Sequence, residues 1–188
     1  MLSVRAAVLG IFVFLLAPVC LSGGFCGPSP GAAGGWKVFS SRAGWSLHYP
    51  PDWRIGSCHN CPDPTAPNVF VDFFPPGETN SDGWVMVDRL ADRPSGMSVK
   101  GWFTRLKQTA NLNPRLKEQR INLNGLPALK VRYRNPHAGG QETESVYVVA
   151  GSRTFQINFG GDLPGRPLED LGNYRIYRRM LGTFTVKR

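Results

Sequence analysis

The pattern of apolar and polar positions is organised around Val146–Phe159, V-Y-V-V-A-G-S-R-T-F-Q-I-N-F, an apolar run and an alternating one that meet at a glycine. Gly151-Ser152 divides this run into two arms, and a two-residue loop with glycine first suits a type II′ hairpin turn. The turn predicts Ala150 opposite Arg153, Val149 opposite Thr154, Val148 opposite Phe155, Tyr147 opposite Gln156 and Val146 opposite Ile157. Val146, Val148, Phe155 and Ile157 then share one face and Tyr147 with Gln156 the other, so apolar groups meet on a single side. The remaining strands are expected to extend this hairpin into a single curled antiparallel layer roofed by helices.

Upstream, Trp36–Ser40 and Trp45–Tyr49 read as short strands joined at Arg42-Ala43-Gly44. In the second, Trp45, Leu47 and Tyr49 alternate with Ser46 and His48 until Pro50-Pro51 ends the pairing. Trp53–Ile55 resumes briefly before a loop, Gly56–Asn68. Asn68–Phe74 and Trp84–Leu90 are the next strands, separated by the bend-forming Pro75–Gly83. Trp84, Met86, Asp88 and Leu90 on one face and Val85, Val87 and Arg89 on the other make the second of these largely apolar on both sides, as a central strand is. Ser98 as N-cap, with Val99, Trp102, Phe103, Leu106 and Ala110 at helical spacing, predicts an amphipathic helix over Val99–Asn111 that stops before Pro114.

Arg115–Leu123 is a predicted strand leading into Asn124-Gly125, a strong hairpin turn. Leu129, Val131 and Tyr133 then alternate with Lys130, Arg132 and Arg134, giving a strand with one apolar and one basic face. His137–Gln141 closes onto the central hairpin. Beyond it Pro167 marks a helix start, with Glu169 and Asp170 in the first turn, Arg178 and Arg179 in the last, and Leu171, Tyr174, Tyr177 and Leu181 facing inward. Thr183–Val186 adds a last short strand. Helices inserted between runs of antiparallel strands place the chain in the α+β class.

Composition changes this picture only at the N-terminus. The 188 residues are 41% hydrophobic and 19% charged, which suits one globular domain. In residues 1–24, however, Arg5 is the sole charge, Ala6–Leu16 is an apolar run, and Ser22-Gly23-Gly24 follow: the outline of an export signal or, if retained, an N-terminal anchor. Residues 25–35, with G-P-S-P-G-A-A-G-G, have the composition of a linker, and the domain is expected over 36–188. Cys20 is the better candidate for lipid attachment, although Ala17-Pro18-Val19 before it makes a poor lipobox. The formal charge of +9 suits anionic surroundings such as headgroups, wall polymers or an acidic protein, and equally suits plain colloidal solubility. Nucleic acid is not an expected partner outside the cytoplasm.

Four stretches carry a resemblance: F-S-S-R-A-G-W-S-L-H-Y-P-P-D-W-R-I (Phe39–Ile55), N-G-L-P-A-L-K-V (Asn124–Val131), the Val146–Phe159 run and R-M-L-G-T-F (Arg179–Phe184). Together they resemble the PsbP-like family, extracytoplasmic proteins related to the extrinsic P subunit of the photosynthetic oxygen-evolving complex. The resemblance spans about Trp36 to Arg188 and rests on aromatic, glycine and proline positions that mark structure and include no catalytic signature. It implies an α/β/α sandwich around an antiparallel sheet, an extracytoplasmic location, and a non-enzymatic role in binding or assembly at the cell envelope. The basic charge and the leader, in turn, lead to the expectation of a protein or an anionic envelope component as partner and of membrane association through the N-terminus.

Cys58-His59-Asn60-Cys61 is the sharpest local chemical signal. A redox C-x-x-C places its first thiolate at a helix N-terminus, whereas Pro62-Asp63-Pro64 follows here and argues for a rigid loop. In an oxidising compartment the Cys58–Cys61 disulfide is the plain expectation. The alternatives are a thiol-redox pair, or a zinc site completed by His59 with His48 or His137. No G-x-S-x-G elbow, H-E-x-x-H pair or phosphate loop occurs, and no cofactor is expected. Asp72 and Asp88 lie on neighbouring predicted strands and form either a carboxylate pair or, more simply, salt bridges with Arg89 or another base. Lys130, Arg132 and Arg134, joined by Arg175, Arg178 and Arg179 of the last helix, are the expected surface for an anionic partner, or else an ordinary solvent face.

Overall fold

The computed structural model describes residues 35–57, 63–67, 69–77, 82–109, 115–135, 139–161 and 165–187. These belong to a compact unit spanning Gly34–Arg188. The leader, Cys20 and nearly all of the linker lie outside the described residues, as do Cys58 and Cys61. Among the described residues no helix is long and apolar enough to cross a membrane.

Among the described residues ten strands form two antiparallel sheets, the α+β arrangement expected. In chain order they are β1 (Lys37–Ser40), β2 (Trp45–Tyr49), β3 (Arg54–Ser57), β4 (Val71–Phe74), β5 (Trp84–Leu90), β6 (Arg115–Leu123), β7 (Leu126–Asn135), β8 (Gln141–Ala150), β9 (Arg153–Gly160) and β10 (Thr185–Val186). Helix α1 (Val99–Thr109) follows β5, and α2 (Tyr174–Leu181) precedes β10. The large sheet runs β3-β4-β5-β9-β8-β7-β6 and the small one β1-β2-β10.

The β8–β9 hairpin has the predicted register, from Ala150 opposite Arg153 to Val146 opposite Ile157. Gly151 adopts φ +66° while Ser152 keeps a negative φ, as a type II′ turn requires. At the β6–β7 turn Asn124 (φ +52°) and Gly125 (φ +85°) are both left-handed, the type I′ pattern that N-G favours. Strand β5 is central, between β4 and β9.

Two expectations fail. The β8–β9 hairpin buries both faces: Val146, Val148, Phe155 and Ile157 enter a main core, while Tyr147 and Val149 enter a second one with Leu129, Val131 and α1's Trp102, Phe103 and Leu106. The single layer is also replaced by two, because Phe39, Trp45, Leu47 and Tyr49 turn the small sheet's apolar face onto Phe73, Phe155 and their neighbours in the main core. Helix α2 packs on the same side, through Tyr174, Tyr177, Met180 and Leu181. The large sheet is thus sandwiched between α1 on one face and α2 with the small sheet on the other.

The last helix also differs from its expected extent. Leu168–Asp170 is a separate 3-10 turn, and Leu171 leaves it in extended backbone (φ −78°, ψ 129°) before Gly172-Asn173 restart the chain into α2. Glu169 and Asp170 therefore belong to the 3-10 turn, and α2 has no acidic residue in its first turn.

Candidate functional site

Helix α2 is short, and its inward stripe fixes it firmly. The Tyr177 ring stacks on Phe159 with centroids 4.8 Å apart, and Tyr174 meets the same Phe159 at 5.5 Å. The opposite side of the helix presents Arg175, Arg178 and Arg179, all exposed, at i, i+3 and i+4 spacing. Like charges at that spacing repel by roughly 0.2–0.5 kcal/mol per pair, so the strip opposes helix stability. Among the described residues Arg175 and Arg178 form no ion pair. Arg179 lies over the Trp36 ring, 4.4 Å from its centroid, a cation–π contact that holds the guanidinium beside the start of β1. Lys37 and Val38, next in the chain, are exposed.

In the strand half of the expected basic surface, Arg132 is engaged within the fold. Each cation of β7 faces a residue of β8: Lys130 opposite Val146, Arg132 opposite Glu144 and Arg134 opposite Glu142. Arg132 is drawn inward as a clamp. Its Nη1 donates to Glu169 Oε1 at 2.7 Å, and its Nη2 donates to the Tyr174 hydroxyl at 2.9 Å and reaches Glu144 Oε2 at 3.4 Å. The Tyr174 hydroxyl in turn donates to Glu144 Oε2 at 3.1 Å. Burial alone would lower the Arg132 pKa, but the hydrogen bond to Glu169 and the surrounding acidic groups outweigh it and raise the pKa. Burial, then the charge of Glu144, pushes Tyr174 up to about 12. The hydrogen bond from Arg132 holds Glu169 low. Arg132 is therefore a structural cation tying β7, β8 and the 3-10 turn to α2. On α2 its partner is Tyr174, on the inward stripe of the helix.

On the α1 side of the large sheet, β4–β5 pairing sets Asp72 opposite Met86, so Asp72 and Asp88 share a face. The expected bridge to Arg89 does not form: Arg89 points to the other face, 5.5 Å over the Phe155 ring, and pairs with Asp92 at 2.6 Å. Alternation along β5 dictates this, since neighbouring residues of a strand face opposite ways. Among the described residues neither carboxylate has an ion-pair partner. Burial pushes Asp72 up to about 6 and raises Asp88, the latter opposed by the backbone N–H of Arg89. The adjoining positions are amides and hydroxyls: Gln156 Nε2 donates to Asn158 Oδ1 at 2.8 Å, and Ser145 Oγ donates to the same oxygen at 2.5 Å.

No protein-family model matches the chain, and no curated protein matches it by sequence. Solved structures do match. The solution structure of the cyanobacterial PsbP, CyanoP, from Synechocystis sp. PCC 6803 aligns at a TM-score of 0.55 and 14% identity, covering 87% of this chain and 100% of that one. The fold is PsbP-like. Lower scores are reached by a protein from Bacteroides thetaiotaomicron (TM-score 0.48, 13% identity, 82% of this chain and 49% of that one) and by a protein of unknown function from Pseudomonas aeruginosa (TM-score 0.46, 12% identity, 82% and 99%).

On this PsbP-like scaffold the remaining candidates are dispersed. His48 is half-buried on the small sheet opposite Val38, while His59 and His137 lie outside the described residues. Among the described residues no three His, Cys, Asp or Glu side chains converge as a metal site would require. Two features escaped the sequence reading. The Trp36–Arg179 stack joins residues more than a hundred positions apart and leaves no local signal. The Glu144 partnership left no apolar alternation to read, because Gln141–Ser145 is polar throughout.

Proposed function

We propose that this protein is an exported, non-enzymatic binding or assembly module that acts at the cell envelope by docking an anionic partner on the arginine face of α2. The observation that carries the reading is the strip Arg175, Arg178 and Arg179: three exposed guanidiniums on a helix locked by its aromatic face, two of them without an ion pair among the described residues. Guanidinium forks bind carboxylate and phosphate in a bidentate way, and a one-sign strip steers acidic partners toward itself. The export-type leader and a fold shared with CyanoP support an extracytoplasmic site of action. In that compartment Cys58–Cys61 is a disulfide staple and Cys20 a place for a lipid.

The test is retention of the full chain on its native envelope fraction. Retention that falls as salt rises, and that drops in Arg175→Gln/Arg178→Gln/Arg179→Gln, is the expected result. Unchanged retention in the triple variant contradicts the docking face. Thiol titration with and without reductant, together with metal analysis, addresses the other chemistry: a low-pKa thiol pair or stoichiometric zinc at Cys58 and Cys61 would replace this reading with a redox or zinc one.

A further inference from the structure

The arginine strip and the chain's point of entry into the domain are the same place. Arg179 stacks on Trp36 at 4.4 Å, and Trp36 is the residue at which the 25–35 linker meets the fold. Whatever conformation those eleven residues adopt, they span at most about 40 Å. A leader held in a bilayer therefore keeps the strip close to that bilayer, at an effective concentration on the order of millimolar.

The side chains around the entry point have the chemistry of a lipid–water interface. Arg175, Arg178 and Arg179 face solvent on one side of α2. Val38, two residues beyond Trp36 and turned away from the buried Phe39, is 58% exposed, a large apolar side chain left in solvent. Tryptophan is the residue most at home at headgroup level, and an apolar side chain next to cations suits the boundary between headgroups and acyl chains. An acidic protein would account for the arginines and leave Val38 and the adjacency to the leader unexplained. We propose that the partner of this face is the anionic phospholipid surface itself, with α2 and the Trp36–Val38 entry lying against the headgroups of the membrane that holds the leader. This rests on the docking reading above and names its partner.

Arginine-directed footprinting with phenylglyoxal, read by mass spectrometry, tests it on the full chain. The protein is reconstituted into phosphatidylcholine vesicles with and without roughly one third phosphatidylglycerol. Each cation near such a surface contributes about fivefold in affinity. Arg175, Arg178 and Arg179 should therefore react at least about tenfold more slowly on the anionic vesicles, and high salt should abolish the difference. Arg105 and Arg120, exposed on α1 and β6, should react equally on both. Equal rates at the α2 arginines on both vesicle types overturn the lipid assignment, as does protection spread equally over Arg105 and Arg120. A parallel arm with soluble polyglutamate separates the two proposals: protection there without protection on anionic vesicles keeps the docking face and removes the lipid, while protection by neither removes both.

Discussion

Arg132→Met tests the internal clamp that positions α2. The substitution keeps an apolar stem against Tyr174 and deletes the cation next to Glu144, whose side chain is 3% exposed. Glu144 is left with the Tyr174 hydroxyl at 3.1 Å. Removing one partner of a fully buried pair costs about 3–5 kcal/mol. Arg132 keeps 17% exposure and its contact to Glu144 is long at 3.4 Å, so water screens part of the charge. The bridge from Arg132 to Glu169, which is 56% exposed, adds under about 1 kcal/mol. The expected loss is about 2–3 kcal/mol at neutral pH, measured by urea unfolding. Glu144→Gln in the same background removes the unpaired charge and should recover much of the loss. A deficit under about 1 kcal/mol, or no recovery in the double variant, refutes the clamp.

Three further outcomes follow from other parts of the fold. Burial holds the Asp72 carboxyl up near 6 against an ordinary 3.8, so the folded state binds its proton more tightly and loses stability as pH rises between those values. Asp72→Asn should therefore stabilise by about 1–2 kcal/mol at pH 7.5, a figure reduced for partial solvent screening, with the gain gone below the lower value; a pH-independent effect contradicts this. Gly83 sits at φ +92°, and a Cβ there would lie 2.4 Å from the Phe159 ring, itself buried against Tyr177, so thermal or urea unfolding of Gly83→Ala should show a loss of about 2–4 kcal/mol. Asn124 is left-handed at φ +52° and its Nδ2 donates to the Gly182 and Phe184 carbonyls at 3.0 and 2.8 Å, tying the β6–β7 turn to the chain just before β10. Asn124→Ala should lose about 2 kcal/mol and Asn124→Gly about half that, since glycine restores only the backbone; equal losses would assign the whole effect to the hydrogen bonds.

Local alternation made much of this fold legible. The β8–β9 register follows from a two-residue turn and a period of two, and both turn types follow from where glycine and asparagine stand. What alternation cannot reveal is the surface that a buried face meets. Trp45, Leu47 and Tyr49 mark β2 as one-sided, yet nothing in those five residues says that they pack on the large sheet or that β10, at the far end of the chain, pairs beside them. The same limit explains Lys130, Arg132 and Arg134. Their spacing correctly separates them from Leu129, Val131 and Tyr133, but whether they meet water or acids depends on β8, whose Gln141–Glu144 segment is too polar to read as a strand. The break at Leu171–Asn173 was hidden because Leu171, Tyr174, Tyr177 and Leu181 keep helical spacing across it. The exposed arginines of α2 were the legible part of the site, being the complement of that inward stripe.

The docking claim is tested most directly by two charge-matched variants in the native envelope. Arg175→Gln/Arg178→Gln/Arg179→Gln and Lys100→Gln/Arg105→Gln/Arg120→Gln each remove three exposed cations, the first from α2 and the second from α1 and β6. Quantifying the envelope-bound fraction of each full-length chain under low-salt washing separates a specific face from general basicity. Loss of binding confined to the α2 variant is the predicted result; equal loss in both, or loss in neither, contradicts it.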